Sequence, residues 1–254
     1  MLKKRLIPVM LLQNNRLVKT KNFNKFIDVG NPIKTVKIYS DSDADELIIL
    51  NINRSSRSIE TLLDLVKEVR KNCFLPISYG GGITNLEDVK KLISNGADKV
   101  VINSYNFQDY NLIKQIEKEF GSQSIIASID VKKSNYEYLI YSDCGQKKQL
   151  ISLADHIKNC KNSGAGEIFV NSIDKDGSME GFDKELIDIL INQKIKFIYC
   201  GGIGNFNHLR ELYSYKNINA VGCSSLFNFG DNNPIRAKQY LMNYFDNLKL
   251  IEKY

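Results

Sequence analysis

The residues best suited to chemistry in this 254-residue chain are carboxylates and glycines. Asp130 closes the apolar run Ile125-Ile126-Ala127-Ser128-Ile129-Asp130, where a packed strand offers no ordinary structural reason for a charge, so it is a general acid–base candidate. A second group, Asn171-Ser172-Ile173-Asp174-Lys175-Asp176-Gly177, offers Asp176 and Asp174 for similar work. A D-x-D-G run serves equally as a solvated turn, and both readings stand. Glycine-rich loops recur at Gly80-Gly81-Gly82, Gly201-Gly202-Ile203-Gly204 and Gly222-Cys223-Ser224-Ser225. Glycine lets backbone N–H groups approach phosphate oxygens, and a serine hydroxyl adds a donor. One phosphate would fall to Gly81, Gly82, Asn103 and Ser104, and an opposed one to Gly177, Gly201, Gly202, Ser224 and Ser225, giving a ligand phosphorylated at both ends. The alternative is that these glycines only make tight turns. With two histidines, His156 and His208, and five cysteines lacking any C-x-x-C pair, no metal site is suggested, no motif calls for a cofactor, and proton transfer falls to carboxylates.

Positioning such groups requires a rigid frame. Short runs rich in Ile, Val and Leu alternate with amphipathic stretches, the pattern of βα units around a parallel sheet. The eight strand candidates are residues 5–11, 46–52, 75–79, 99–103, 125–131, 167–172, 196–200 and 220–223. Helical patterns cover 58–71, 86–94, 110–120, 152–163, 184–193 and 207–214, with a last one from Pro234 towards Leu250. Eight strands with intervening helices predict an α/β fold, a closed (β/α)8 TIM barrel, and no linker divides residues 1–254, so one domain is expected. Residues 136–141 alternate like an extra strand and predict a hairpin inserted after the fifth barrel strand. Gly81-Gly82-Ile83 matches Gly201-Gly202-Ile203 and Ser104 matches Ser224, both at an offset of 120, while Glu46 matches Glu167 at 121. Matches in register at three strand pairs predict an internal half-barrel duplication.

In a strand alternate residues share a face. If the mouth residues point inward, so do Arg5, Glu46, Lys99 and Glu167 at the opposite, N-terminal end. They form either a neutral ring of paired charges across the floor or a set of solvated strand starts. The net charge of +6 is local: residues 1–27 carry seven Lys or Arg and no acid, leaving 28 basic and 29 acidic residues, or −1, in the remainder. Aromatic residues are not interleaved with these charges as nucleic-acid stacking requires, so no nucleic-acid partner is expected. No run reaches the roughly 20 apolar residues of a membrane span. The first apolar run, interrupted by Pro8, reads as a buried strand rather than a signal peptide, and the cysteine usage points to a cytoplasmic protein.

Together these residues resemble the HisF family, the cyclase subunit of imidazole glycerol phosphate synthase. The resemblance spans essentially the whole chain and is carried by Lys4-Arg5-Leu6-Ile7-Pro8, Asp45-Glu46-Leu47, Gly96-Ala97-Asp98-Lys99-Val100, Phe120-Gly121-Ser122-Gln123, Ile129-Asp130-Val131-Lys132 and Gly164-Ala165-Gly166-Glu167-Ile168, with the loops above. It implies a lyase-class cyclase subunit. Its partner would be a HisH-like glutaminase docked on the N-terminal barrel face, about Asp45 and Asp98, that sends ammonia through the barrel. The resemblance makes Arg5, Glu46, Lys99 and Glu167 the salt-bridged ammonia gate. At the mouth, ammonia would meet a doubly phosphorylated ribulosyl substrate.

The family's catalytic aspartates end the first and fifth strands. The second matches Asp130, but Leu11 stands at the first, and no carboxylate occurs before Asp28. The segment from Pro8 to Thr20 is similar to the glycosyl amidation-associated, WbuZ-like branch of the family, found in surface-polysaccharide gene sets and paired with a sugar amidotransferase. Asn51 also replaces a usual aspartate. The expectation is therefore a conduit retained for acetamidino-sugar synthesis, with the original cyclisation weakened. A true histidine-pathway cyclase and a non-catalytic scaffold that activates a glutaminase are the alternatives.

Overall fold

A computed structural model describes residues 3–53, 59–215, 218 and 220–248. Eight parallel strands close on themselves: β1 (Arg5–Gln13), β4 (Leu47–Asn51), β5 (Ile77–Gly80), β6 (Lys99–Ile102), β7 (Ile125–Ser134), β10 (Glu167–Ser172), β11 (Phe197–Cys200) and β12 (Ala220–Cys223). β1 pairs with β12 and β4, and β7 pairs with β10, which completes the barrel. Around it pack α1 (Pro32–Asp41), α2 (Glu60–Asn72), α3 (Leu86–Ser94), α4 (Asn111–Phe120), α5 (Leu153–Asn162), α6 (Lys184–Asn192), α7 (Phe206–Ser214) and α8 (Pro234–Met242). The expected starts and ends at Ser58 and Leu250 lie outside the described residues.

Two β flaps rise from the mouth. β1 continues into β2 (Arg16–Lys21) and β3 (Asn24–Gly30), an antiparallel ribbon that the periodicity does not predict. Its turns are Asn14-Asn15 (φ 50° and 59°) and Asn22-Phe23 (φ 51° and 59°), the left-handed pairs that a two-residue hairpin requires. The expected hairpin after the fifth barrel strand is present: β7 runs on to Ser134 and turns into β8 (Glu137–Ser142), which pairs with β9 (Lys147–Lys148). α1 is also absent from the sequence expectation, though Asn31 caps it and Pro32 opens it.

The two half-barrels share local geometry at matching helix starts. Asn85 and Asn205 cap α3 and α7 with the same backbone (φ −154°, ψ 169° and φ −154°, ψ 172°). The last strands of the halves, however, are offset by 121, so Ser104 corresponds to Ser225 and Asn103 to Ser224, correcting the Ser104–Ser224 match.

Outside the barrel, strands and helices share one large core; inside it, Ile7, Val9, Ile48, Val101, Ile126, Phe169, Ile198 and Ala220 form a second, apolar plug. No helix among the described residues is long and apolar enough to cross a membrane. The basic N-terminal stretch does not form one surface: Lys4 and Lys19 are buried, Lys3 pairs with Asp45, Arg5 turns into the barrel floor and Arg16 pairs with Asp28.

Candidate active site and barrel-floor gate

At the floor the four charges form an alternating ring. The Arg5 guanidinium donates to Glu46 at 2.6 Å and to both carboxylate oxygens of Glu167. Lys99 donates to Glu46 at 3.0 Å and to Glu167 at 2.8 Å. The ring thus replaces the solvated-start alternative. Burial alone would raise the Glu167 carboxyl, but the hydrogen bonds and charges of Arg5 and Lys99 outweigh it and bring it down to about 2. Burial likewise works against the Lys99 ammonium, which Glu167 and Glu46 nonetheless hold above its ordinary value. Next to the ring, Asp45 is buried; its carboxylate accepts from Leu6 N at 2.8 Å and from buried Lys238 at 3.0 Å, and pairs with Lys3. That places Asp45 as an anchor within the floor and not as an open docking contact. Asp98 remains partly exposed, accepting from Ile77 N and paired with Arg70.

At the mouth a cavity of about 200 Å³ lies between the flaps. Asp130, Asn103, Ser104, Gly81 and Gly82 all line it, so the first phosphate loop and the acid–base candidate come together. Leu11, Leu50, Ile52, Val101, Phe23 and Phe26 make its apolar walls, and no Lys, Arg or His is among its described lining residues. The Asp130 carboxyl accepts a 2.7 Å hydrogen bond from Asn103. Burial pushes Asp130 up to about 7, against the Asn103 bond and with help from the charge of Asp176.

The second phosphate loop is not joined to this cavity: Gly177, Gly201, Gly202, Ser224 and Ser225 are not among its lining residues. The β2–β3 ribbon explains why. Asp176 accepts from Thr20 Oγ1 at 2.6 Å and from Phe23 N at 3.1 Å, and its carbonyl accepts from Asn22 N, so it anchors the ribbon. A Cβ on Gly177 would lie 2.1 Å from the Thr20 carbonyl oxygen, so only glycine permits this approach. Ser224 donates to the Val9 carbonyl at 3.0 Å and accepts from buried Lys19. Burial brings the Lys19 ammonium down to about 8. Sequence reasoning missed Lys19, Thr20 and Phe23, whose contacts here span some 150 to 205 residues and leave no local signal. It named Asn171 in the group after the sixth barrel strand but gave it no role; the residue lines the cavity beside Asp130.

Residues 5–232 match the family model described as histidine biosynthesis protein. Curated relatives cover the chain nearly end to end. A putative imidazole glycerol phosphate synthase subunit hisF2 of Pseudomonas aeruginosa is 39% identical over 90% of this chain and 92% of its own length. Imidazole glycerol phosphate synthase subunit HisF of Leptospira biflexa is 39% identical, and that of Campylobacter concisus 37%, each over 94% of both chains.

Proposed function

Since the chain belongs to the histidine biosynthesis protein family, we propose that it is the HisF-type barrel subunit of a glutamine amidotransferase complex, taking ammonia from a HisH-like glutaminase docked on the N-terminal face. The observation that carries this reading is the closed ring of Arg5, Glu46, Lys99 and Glu167 beneath an apolar barrel interior. Such a ring has a definite physical consequence. The plug above it disfavours ions far more than neutral ammonia, because an unpaired charge costs far more to bury than a neutral polar group. The ring itself must part to admit ammonia, and Lys99, held by two carboxylates through one flexible stem, is the member that moves with least disruption.

At the mouth the chain has one of the two acids a cyclisation would use. Leu11 continues the apolar lining up to the cavity, where Asp130 and Asp143 are the carboxyl groups among the described lining residues and Asp130 is the one that ends a barrel strand. We therefore read the chain as a conduit diverged from the cyclase, passing ammonia on for amidination of a sugar, with a separate sugar amidotransferase as the acceptor's enzyme. Losing a general acid–base group typically removes two to four orders of magnitude in rate. The test is ammonium-dependent turnover of the doubly phosphorylated ribulosyl substrate by the purified chain. No turnover, with glutaminase stimulation intact, is the expected result.

A second reading rests on Asp130, Asn103 and the first phosphate loop facing one cavity. It is an imidazole glycerol phosphate synthase cyclase of L-histidine biosynthesis, and robust turnover in the same assay would establish it.

A further inference from the structure

Asp130 sits between two carboxamides. Asn103, following β6, donates to it through Nδ2, and Asn171 on β10 is its register partner on the other side. All three face the barrel interior: Val101, Ile126 and Phe169, two or four residues earlier on their strands, belong to the inner plug. Neighbouring strands lie about 4.8 Å apart, which brings paired inward side chains within reach of each other. Asn171 is nine-tenths buried at 9% exposure. Its side-chain oxygen and that of Asn103 are shut off from solvent and accept no hydrogen bond among the described residues.

The inventory around an ionised Asp130 is lopsided. A carboxylate only accepts, and so do the two carboxamide oxygens beside it; Asn103 Nδ2 donates to Asp130, while neither carboxamide oxygen has a donor among the described residues. Each unmet acceptor carries a desolvation cost. Water reaches these two oxygens poorly, since each has almost no exposed surface. A proton on Asp130 needs no room and supplies the missing donor directly.

We propose that Asn171 is a positioning residue that accepts the Asp130 carboxyl proton on its side-chain oxygen, so that the site rests with a neutral acid facing the cavity. The burial that raises the Asp130 pKa acts in the same direction. The other titratable groups about it are Asp176 beyond β10, Cys200 at the end of β11, Asp143 in the β8–β9 turn, and Lys19 on β2 acting through Asp176. Use of the proton in ammonia chemistry rests on the amidotransferase reading; its presence on Asp130 does not.

The experiment is a pH titration of aspartate carboxyl carbons by NMR on the full chain, with Asp130→Asn assigning the signal and Asn171→Leu as the probe. Leucine keeps Asp130 buried but offers no acceptor. The Asp130 midpoint is expected to fall by about one pH unit in Asn171→Leu, the equivalent of one lost hydrogen bond. A midpoint that is unchanged or higher would mean that burial alone holds the proton and would overturn the proposal. Should Asn171→Leu fail to fold, Asn171→Met, which likewise offers no oxygen acceptor, takes its place in the same titration: a lowered Asp130 midpoint supports the proposal, and an unchanged or higher one defeats it. Neither measurement involves a glutaminase, so the conduit reading and this one fail separately.

Discussion

Leu11 and Asp130 occupy equivalent places in the two half-barrels. Leu11 lies in register with Leu50 across β1 and β4, and Asp130 lies in register with Asn171 across β7 and β10. One half therefore ends its inner face in an apolar pair and the other in a polar pair, on the same scaffold. Both leucines pack against the inner plug. The first prediction follows: Leu11→Asp should restore ammonium-dependent cyclisation by a factor on the order of a hundred or more, since a positioned acid is worth that much. Turnover of the ribulosyl substrate by native and variant chains checks it, and robust native turnover would show that Leu11 costs nothing.

The ring at the floor makes a prediction about coupling. In Lys99→Met the two glutamates lose a shared partner, and breaking a part-buried pair should cost about 3 kcal/mol of stability. Glutamine-dependent output should drop relative to ammonium-dependent output, because the gate no longer closes behind the delivered molecule. Denaturant unfolding and the ratio of the two activities measure these effects. An unchanged ratio in a folded variant counts against the ring as a gate.

Acidity should act through Glu167 in a definite window. Its native carboxyl is held down to about 2, below the ordinary value near 4.3, so the native state binds its proton later than the unfolded chain. The ring's stabilisation is therefore complete above about pH 4.3 and is lost as pH falls towards 2. Glu167→Gln should be less stable than the native chain at neutral pH, and the difference should shrink through that range in urea titrations.

Asp130 predicts the opposite sign. Its native carboxyl titrates at about 7, above the unfolded value near 3.9, so ionisation favours the unfolded chain between those values. Asp130→Asn should then gain stability over the native protein as pH rises from 4 to 7, by a few kcal/mol at most. Parallel unfolding midpoints at the two ends of that range are the measurement.

Much of the frame was legible because a strand buried on both faces is a largely apolar run, as over residues 125–129 and 168–170. The floor ring followed from parity once the resemblance chose between its two readings. What escaped was long-range. Nothing near Thr20 or Lys19 says that they will meet Asp176 and Ser224, because that contact depends on a ribbon folding back over the mouth. The signals that were present and unread are local: Asn14-Asn15 as a left-handed turn and Asn31-Pro32 as a capped helix start. The slip from 120 to 121 between the half-barrels also lies beyond a residue-matching argument, since one extra residue between α7 and β12 moves Ser104 onto Ser225.

The two glycine loops expected to take phosphate can be told apart at Ser104 and Ser224. Ser104 lines the cavity and accepts from Asp143 N at 3.1 Å, leaving its own proton to point elsewhere. Ser224 has both roles filled, donating to Val9 and accepting from Lys19. A hydrogen bond to a charged group is worth roughly 1.5–3 kcal/mol, so Ser104→Ala should weaken a phosphorylated ribotide by at least about tenfold, beside a stability cost of about 1 kcal/mol for the lost bond from Asp143 N. Ser224→Ala should also cost about 1 kcal/mol of stability, by removing its bonds to the Val9 carbonyl and the Lys19 ammonium, which keep their own contact at 3.2 Å, but should change ribotide affinity little. Calorimetric binding beside denaturant unfolding separates the two. Equal losses of affinity in both variants would mean that the β2–β3 ribbon lifts and that the second loop does hold a phosphate.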